Sequence, residues 1–173
     1  MGNNKKHTRP KGQTMKKIKL ANNKGFAIVD DEDFEALDLF SWFLHNNNYA
    51  CAWVDRKIQR MHRIILNAPP NLQVDHKNGD GLDNRKINLR LATASQNQGN
   101  RRKITSKSNI KGVRYKSDGK NRKKRWEARI HFNQKQISIG HFITKEEAGK
   151  AYLNMARKLH GEFAYSNIIE KNE

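Results

Sequence analysis

The sequence predicts an α+β protein built from two small modules in series. Three observations lead there. The apolar pattern changes period along the chain, from two in WEARIHF to a helical period in AGKAYLNMARKL. Clusters of Asn, Gly and Pro interrupt each apolar run before it grows long. Hydrophobic residues are 35% of the 173, with a mean hydropathy of −1.00. That is thin for one large core and sufficient for small ones.

Taken in order, MKKIKL and GFAIVD read as two strands joined by the turn-forming ANNKG. Asp31 or Asp33 would cap a short helix through Phe34, Leu37 and Phe40. YACAWV reads as a strand, and MHRIILN as a helix stopped by Pro69 and Pro70. LQVDH is a strand, KNGDGLDNRKI a loop rich in Gly and Asx residues, and NLRLA a returning strand. Thr93 and Gln96 form a capping box that opens a helix through Asn100. RKITSKSN has no periodicity and reads as a linker. KGVRYK, KRWEARIHF and QISIGHF are three strands. Thr144 and Glu147 form a second capping box, Ala148, Ala151, Tyr152, Met155 and Leu159 follow at helical spacing, and Gly161 supplies the stop. The second module is thus a three-stranded antiparallel sheet packed on one helix. In its middle strand Trp126, Ala128, Ile130 and Phe132 face the core, while Glu127, Arg129 and His131 face outward.

Charge narrows the function. Lys and Arg number 35 and Asp and Glu 17, a formal net charge of +18, which points to a polyanionic partner, nucleic acid before all others. The charge is segregated. Residues 1–24 hold eight Lys/Arg and no acid, and 101–129 hold thirteen Lys/Arg against Asp118 and Glu127. Six acids crowd into 30–38, a stretch expected to face away from the nucleic acid or to cap a helix. The single cysteine, Cys51, excludes a disulfide framework within the chain and a cysteine-rich zinc finger. No apolar run approaches the roughly 20 residues of a membrane span, and the basic N-terminus lacks the apolar segment of a secretory signal. The expectation is an intracellular protein that is not secreted, with no membrane partner and no small-molecule cofactor.

Chemistry concentrates in VDHKNGDGLDNRKINLRLATASQN. Asp75 and His76 are adjacent at a strand end, where the backbone can bend to bring both side chains near one site. Asn88 starts the returning strand and Asn97 lies in the first turns of the next helix. Carboxylate and amide oxygens suit a hard cation such as Mg²⁺, and an unligated imidazole beside it can act as a general base. Taken singly, each residue has an ordinary reading: a strand-end His, a turn Asn, a solvated helix Asn. His62 either reaches the site or packs on the sheet. Asp80, Asp83 and Asn84 read as loop-forming residues. Arg85 either contacts phosphate or braces the loop, as Arg90 does.

From His62 to Arg101 the chain resembles the HNH endonuclease family, above all its phage and intron homing endonucleases, through HR…VDHKNGD…DNR…NLR…T..QN. The resemblance implies a ββα-metal fold. Asp75 and Asn97 become metal ligands, His76 the base that deprotonates the attacking water, and Asn88 the residue that braces the loop and orients His76. Asn97 stands where many relatives have a last His; its neutral oxygen favours Mg²⁺ or Mn²⁺, one per site, over zinc or nickel.

From Asn109 to Asn167 the chain resembles the plant ethylene-response-factor, or Apetala-type, domain through GVR, W.A.I, IG.F.T.EEA..AY and HGEFAYSN. That resemblance implies a sheet in the major groove of double-stranded DNA, with Arg114, Lys116, Arg129, His131 and Gln136 turned to it and Tyr152 offered to a phosphate; long donors at alternate strand positions add Lys111 and Ser138 as candidates. Arg129 and Ser138 replace the acid and Trp usual in plants, so base preference is not inherited. The lead-in segment FAIVDDEDFEALDLFSWFLHNNNYACAWV also looks like that of such proteins; its aromatics are assigned to the core.

The expected organisation is a basic arm at 1–13, a lead-in at 14–60, a nuclease unit at 61–102, a linker at 103–109, a DNA-binding domain at 110–167 and a tail at 168–173. The function is a metal-dependent, site-specific DNA endonuclease, acting as a monomer that nicks or as a dimer that cuts both strands. The competing readings are a non-catalytic DNA-binding regulator and an RNA-acting protein. The latter would need exposed stacking aromatics on the reader sheet.

Overall fold

Hairpins and short helices dominate because no apolar run is long enough for anything larger. The structure is a computed structural model that describes residues 14–46, 48–101, 106–117 and 125–167. The expected arm, residues 103–105 of the linker and the tail lie outside the described residues. Two compact units are present: residues 1–70 with 76–91, and 71–75 with 92–173.

In the first unit β1 (Met15–Lys19) and β2 (Phe26–Asp30) pair antiparallel, Met15 opposite Asp30 and Lys19 opposite Phe26. Asn22, Asn23 and Gly25 between them all have positive φ, a conformation these residue types tolerate best. α1 (Asp31–Asp38) follows with three acids in its first turn, where the helix dipole favours them. Asp31 and Asp33 are not its cap. The N-cap is Asp30, and its carboxylate accepts the Lys86 N–H at 2.8 Å instead of capping the helix. The acidic stretch therefore anchors a loop: Lys86 Nζ reaches Glu32 at 2.6 Å and Asp33 at 2.9 Å.

β3 (Phe43–His45), β4 (Tyr49–Val54) and β5 (Lys57–Arg60) form an antiparallel sheet, of which only the middle strand was expected. The outer strands carry no periodic signal because they are three and four residues long and mix charge with aromatics. α2 (Met61–Ile65) leads directly out of β5. The core gathers Ile18, Leu20, Ala27, Val29, Leu37, Trp42, Ala50, Ala52 and Met61. Trp42 satisfies its indole N–H on the Leu37 carbonyl at 2.7 Å. Two aromatics of this segment depart from the core expected for them: Phe26 is 51% and Trp53 63% exposed. Alternation explains Trp53, since Ala50, Ala52 and Val54 of the same strand take the inward positions.

β6 (Gln73–His76) and β7 (Leu89–Ala92) are the strands of a short sheet whose loop end is closed by Lys77 N–H to the Asn88 carbonyl, 2.9 Å. The intervening loop is bonded to β2: Ile28 N–H donates to the Leu82 carbonyl and Asn84 N–H to the Ile28 carbonyl.

In the second unit α3 (Ala94–Asn100) opens with the expected capping box of Thr93 and Gln96. β8 (Val113–Tyr115), β9 (Trp126–Phe132) and β10 (Lys135–Phe142) form a three-stranded antiparallel sheet with β9 central. The register shifts between Ser138 and Gly140. α4 (Lys145–His160) begins at the Thr144–Glu147 capping box and ends at Gly161, φ 55°. Ile110, Val113, Ala128, Ile130, Ala148, Tyr152 and Ala156 share one core cluster. Tyr152 is 3% exposed, so it packs there and is not offered to a phosphate. Among the described residues no helix is long and apolar enough to cross a membrane.

Candidate active site and nucleic-acid face

In the first unit the loop after β6 is built from Asx side chains that cap backbone N–H groups. Asn78 Oδ1 accepts from Asp80 N–H, and Asp80 Oδ1 accepts from Leu82 N–H. Asp83 takes Arg85 through two bonds of 2.7 and 2.6 Å and Asn78 Nδ2 at 2.9 Å. Burial alone would raise the Asp83 carboxyl, but the Arg85 hydrogen bonds and charge outweigh it and hold the group below its usual value. Arg85 is thus a brace. Asn88 is a second one: its Oδ1 accepts the Asn78 N–H at 3.0 Å and its Nδ2 donates to the Asp83 carbonyl at 2.7 Å.

His76 closes β6 and is 6% exposed. The side chain on it is Asn84, whose Oδ1 lies 3.3 Å from His76 Nε2. Asn84 is completely buried and its Nδ2 donates to the Leu82 carbonyl, which leaves the amide oxygen facing the ring. An oxygen can only accept, so His76 carries its proton on Nε2 and, when neutral, its lone pair on Nδ1. In the sequence Asn84 reads as a loop former, and its tertiary partner has no sequence signal beyond the place in DNR.

His62 is 4% exposed and packs edge-on against His76, ring centroids 5.0 Å apart. Tyr49 touches both, at 5.1 and 5.9 Å. Of the two readings left open for His62, contact with His76 is the one the structure has. Burial, then the charges of His76, Arg60 and Arg63, push the His62 pKa down to about 3, so the ring is neutral. Its Nδ1 is buried without a hydrogen-bond partner.

In the second unit Asp75, 4% exposed, accepts from Asn100 Nδ2 on both carboxylate oxygens, 2.9 and 3.1 Å. Asn97 donates to Gln73 Oε1 at 2.6 Å. Asn100 was not singled out from sequence, though it stands three residues after Asn97 on the same helix, a spacing that puts both on one face. Among the described residues no three His, Cys, Asp or Glu side chains gather as a metal cluster. One carboxylate with amide oxygens nearby is a donor set for a hard cation that keeps much of its water, and it does not make a closed zinc site.

The outer face of β9 carries Glu127, Arg129 and His131, opposite Arg114, Ser138 and Gln136 in the register. Arg129 donates to Gln136 Oε1 at 3.2 Å, and His131 is exposed. Arg114 is hydrogen-bonded to Glu127, and Lys116 and His141 stand 3.9 and 4.0 Å from the same carboxylate. Burial would raise Glu127, but Arg114 and then the other cations hold it low. Lys111 is spent inside the unit, its Nζ on the Gly99 carbonyl at 2.6 Å.

Known proteins match this segment and most of the chain. The family model described as HNH endonuclease matches residues 67–98, which contain Asp75, His76, Asn84, Asn88 and Asn97. A protein of Acanthamoeba polyphaga mimivirus, named as an uncharacterized HNH endonuclease, is 33% identical over 158 residues, 87% of this chain and 80% of its own length. No solved structure matches. With a buried Asp and a buried His consecutive at the end of β6, a braced Asx loop after them, and a relative alike over most of both chains, the protein belongs to the HNH endonuclease family and is a DNA nuclease.

Proposed function

We propose that the protein is a site-specific, homing-type DNA endonuclease in which His76 takes the proton from the attacking water at a Mg²⁺-dependent site. HNH nucleases generally use a divalent metal ion. The observation that carries the reading is the consecutive pair Asp75 and His76, 4% and 6% exposed, closing β6 inside the segment that the family model covers.

The chain's own groups have distinct tasks. Asp75 and Asn97 would hold the cation, Mg²⁺ or Mn²⁺, one per site; Asn100 orients the Asp75 carboxylate by donating to it. When bound, the cation supplies the positive charge that stabilises the leaving oxygen. Asn84 accepts from His76 Nε2 and so fixes the tautomer in which Nδ1 is the basic nitrogen of the ring. Asn88 holds the loop that carries Asn84 and so orients His76 indirectly. This is the work of a ββα-metal unit spanning 61–102.

The module at 110–167 is read as an Apetala-type DNA-binding domain. Support comes from its outward-facing Arg114, Arg129, His131 and Gln136, with Lys116 beside them; Lys111 is the weakest member, since its ammonium already has a backbone partner. Glu127 would hold Arg114 and Lys116 in register for base edges until DNA competes for them.

The test is to incubate the purified chain with genomic DNA fragments, with and without Mg²⁺, beside His76→Ala, and to sequence the ends. Metal-dependent ends recurring at one site and absent in the variant are expected. Ends that persist in His76→Ala remove His76 as the base, and scattered ends remove site specificity.

A further inference from the structure

The sheet of β3, β4 and β5 has a second face, buried at Cys51, half-buried at Tyr49 and exposed at Trp53. Tyr49, Cys51 and Trp53 alternate onto it from β4. The register adds His45 beside Tyr49, Phe43 and Arg60 beside Cys51, and Ile58 beside Trp53. Trp53 is 63% and Ile58 44% exposed, side by side on adjacent strands. An open groove of about 390 Å³ runs along this face, lined by His45, Cys51, Ile58, Gln59, Arg60 and Arg63.

Two observations say what belongs there. The first is charge: Arg56, Lys57 and Arg60 stand against Asp55 alone between Trp53 and Arg60, while Arg63 is held on the Ala68 and Pro69 carbonyls, so the strip is apolar with a cationic border. Aromatic rings beside guanidinium groups suit a nucleic-acid strand, whose bases stack and whose phosphates pair. The second is continuity. Arg60 lies over the Tyr49 ring at 5.5 Å, and Tyr49 in turn packs on His76. The strip therefore leads to the imidazole that the proposed reaction uses.

We propose that the outer face of β3–β5 is a docking strip for the DNA substrate, with a base stacked on Trp53 beside Ile58 and the adjoining phosphate held by Arg60 in the groove. The strip would feed the strand past Tyr49 towards His76. The inference rests on the nuclease reading and adds a contact surface outside both the matched segment and the second unit.

The experiment uses the full chain carrying His76→Ala, in EDTA, titrated with a duplex oligonucleotide of mixed sequence that carries a short unpaired segment, whose bases are free to stack, while tryptophan emission and anisotropy are followed. Emission is expected to fall on binding, and Trp53→Phe should remove the Trp53 share of that fall while keeping the affinity, because phenylalanine still stacks. Trp53→Ala should weaken binding about tenfold, the scale of one lost base–aromatic stack. Arg60→Ala should lower the slope of log K against log salt by about one. The side chains replaced are surface ones, and unchanged thermal melting would verify that the fold persists. Unaltered affinity in both alanine variants, or quenching as large in Trp53→Phe as in its parent, overturns the strip while DNA cutting by the unmodified chain stands. A chain that binds no DNA overturns the strip and the nuclease reading together. A dimer that Trp53→Ala dissociates, with DNA affinity unchanged, assigns the face to a second copy and overturns the proposal.

Discussion

His62 shows what burial does to a single titratable group. It sits at 4% exposure against His76 and Tyr49, with Arg60 and Arg63 near enough to oppose any further charge. Its folded pKa of about 3 lies below the ordinary 6.5. Between those values the unfolded chain binds the proton and the folded chain does not. Stability from this group is therefore whole above pH 6.5 and is lost as the pH falls towards 3, at ~1.4 kcal/mol per unit. Replacing His62 with Phe removes the effect. Urea unfolding at pH 7.5 and pH 5 should show the parent losing ~2 kcal/mol more than His62→Phe. Equal losses would mean that the ring is hydrated in the folded state.

At the scale of elements, glycine placement sets how closely strands and helices approach. Gly112, φ +71°, precedes β8 in the second unit. A Cβ there would enter the ring of Tyr152 and come 2.7 Å from the Arg129 carbonyl. Gly25, φ +94°, has nothing within 4 Å of its Cβ position. Both alanine substitutions carry the backbone penalty of ~1 kcal/mol for a left-handed residue, and only Gly112→Ala adds an overpacked core at ~1–3 kcal/mol. Gly112→Ala is therefore expected to lower the melting temperature at least twice as far as Gly25→Ala. Similar shifts would show that Tyr152 can move aside. The same close contact explains why Tyr152 is a core residue.

For the whole molecule the charge of +18 is the dominant property. If about six phosphates are neutralised on binding, log K should fall with log salt at a slope of roughly −5. Filter binding of the full chain to duplex DNA between low and physiological salt reads this directly. A flat response would contradict the electrostatic account. Not every cation takes part: Arg85, Lys86 and Lys111 are held by Asp83, by Glu32 and Asp33, and by the Gly99 carbonyl. The usable charge is smaller than the count.

Much of the local structure was legible because it depends on neighbours in the chain. Both capping boxes need only Thr and an acceptor three residues on, and the alternation in β9 needs only the pleat. The ordered set Asp75, His76, Asn88 and Asn97 was also visible as a pattern, which is why family membership could be anticipated. Partners distant in sequence were not legible. The strands β3 and β5 are too short to carry a period, so the exposed side of Trp53 went unseen. Asn84 on His76, Asn100 on Asp75 and Asp30 on Lys86 are hydrogen bonds across 8, 25 and 56 positions. Sequence by itself determined the periodic elements, the charge and the motif, since each is local or additive. Tertiary structure alone decided which amide meets which functional group, because hydrogen-bond geometry over long separations exists only once the chain has folded back on itself.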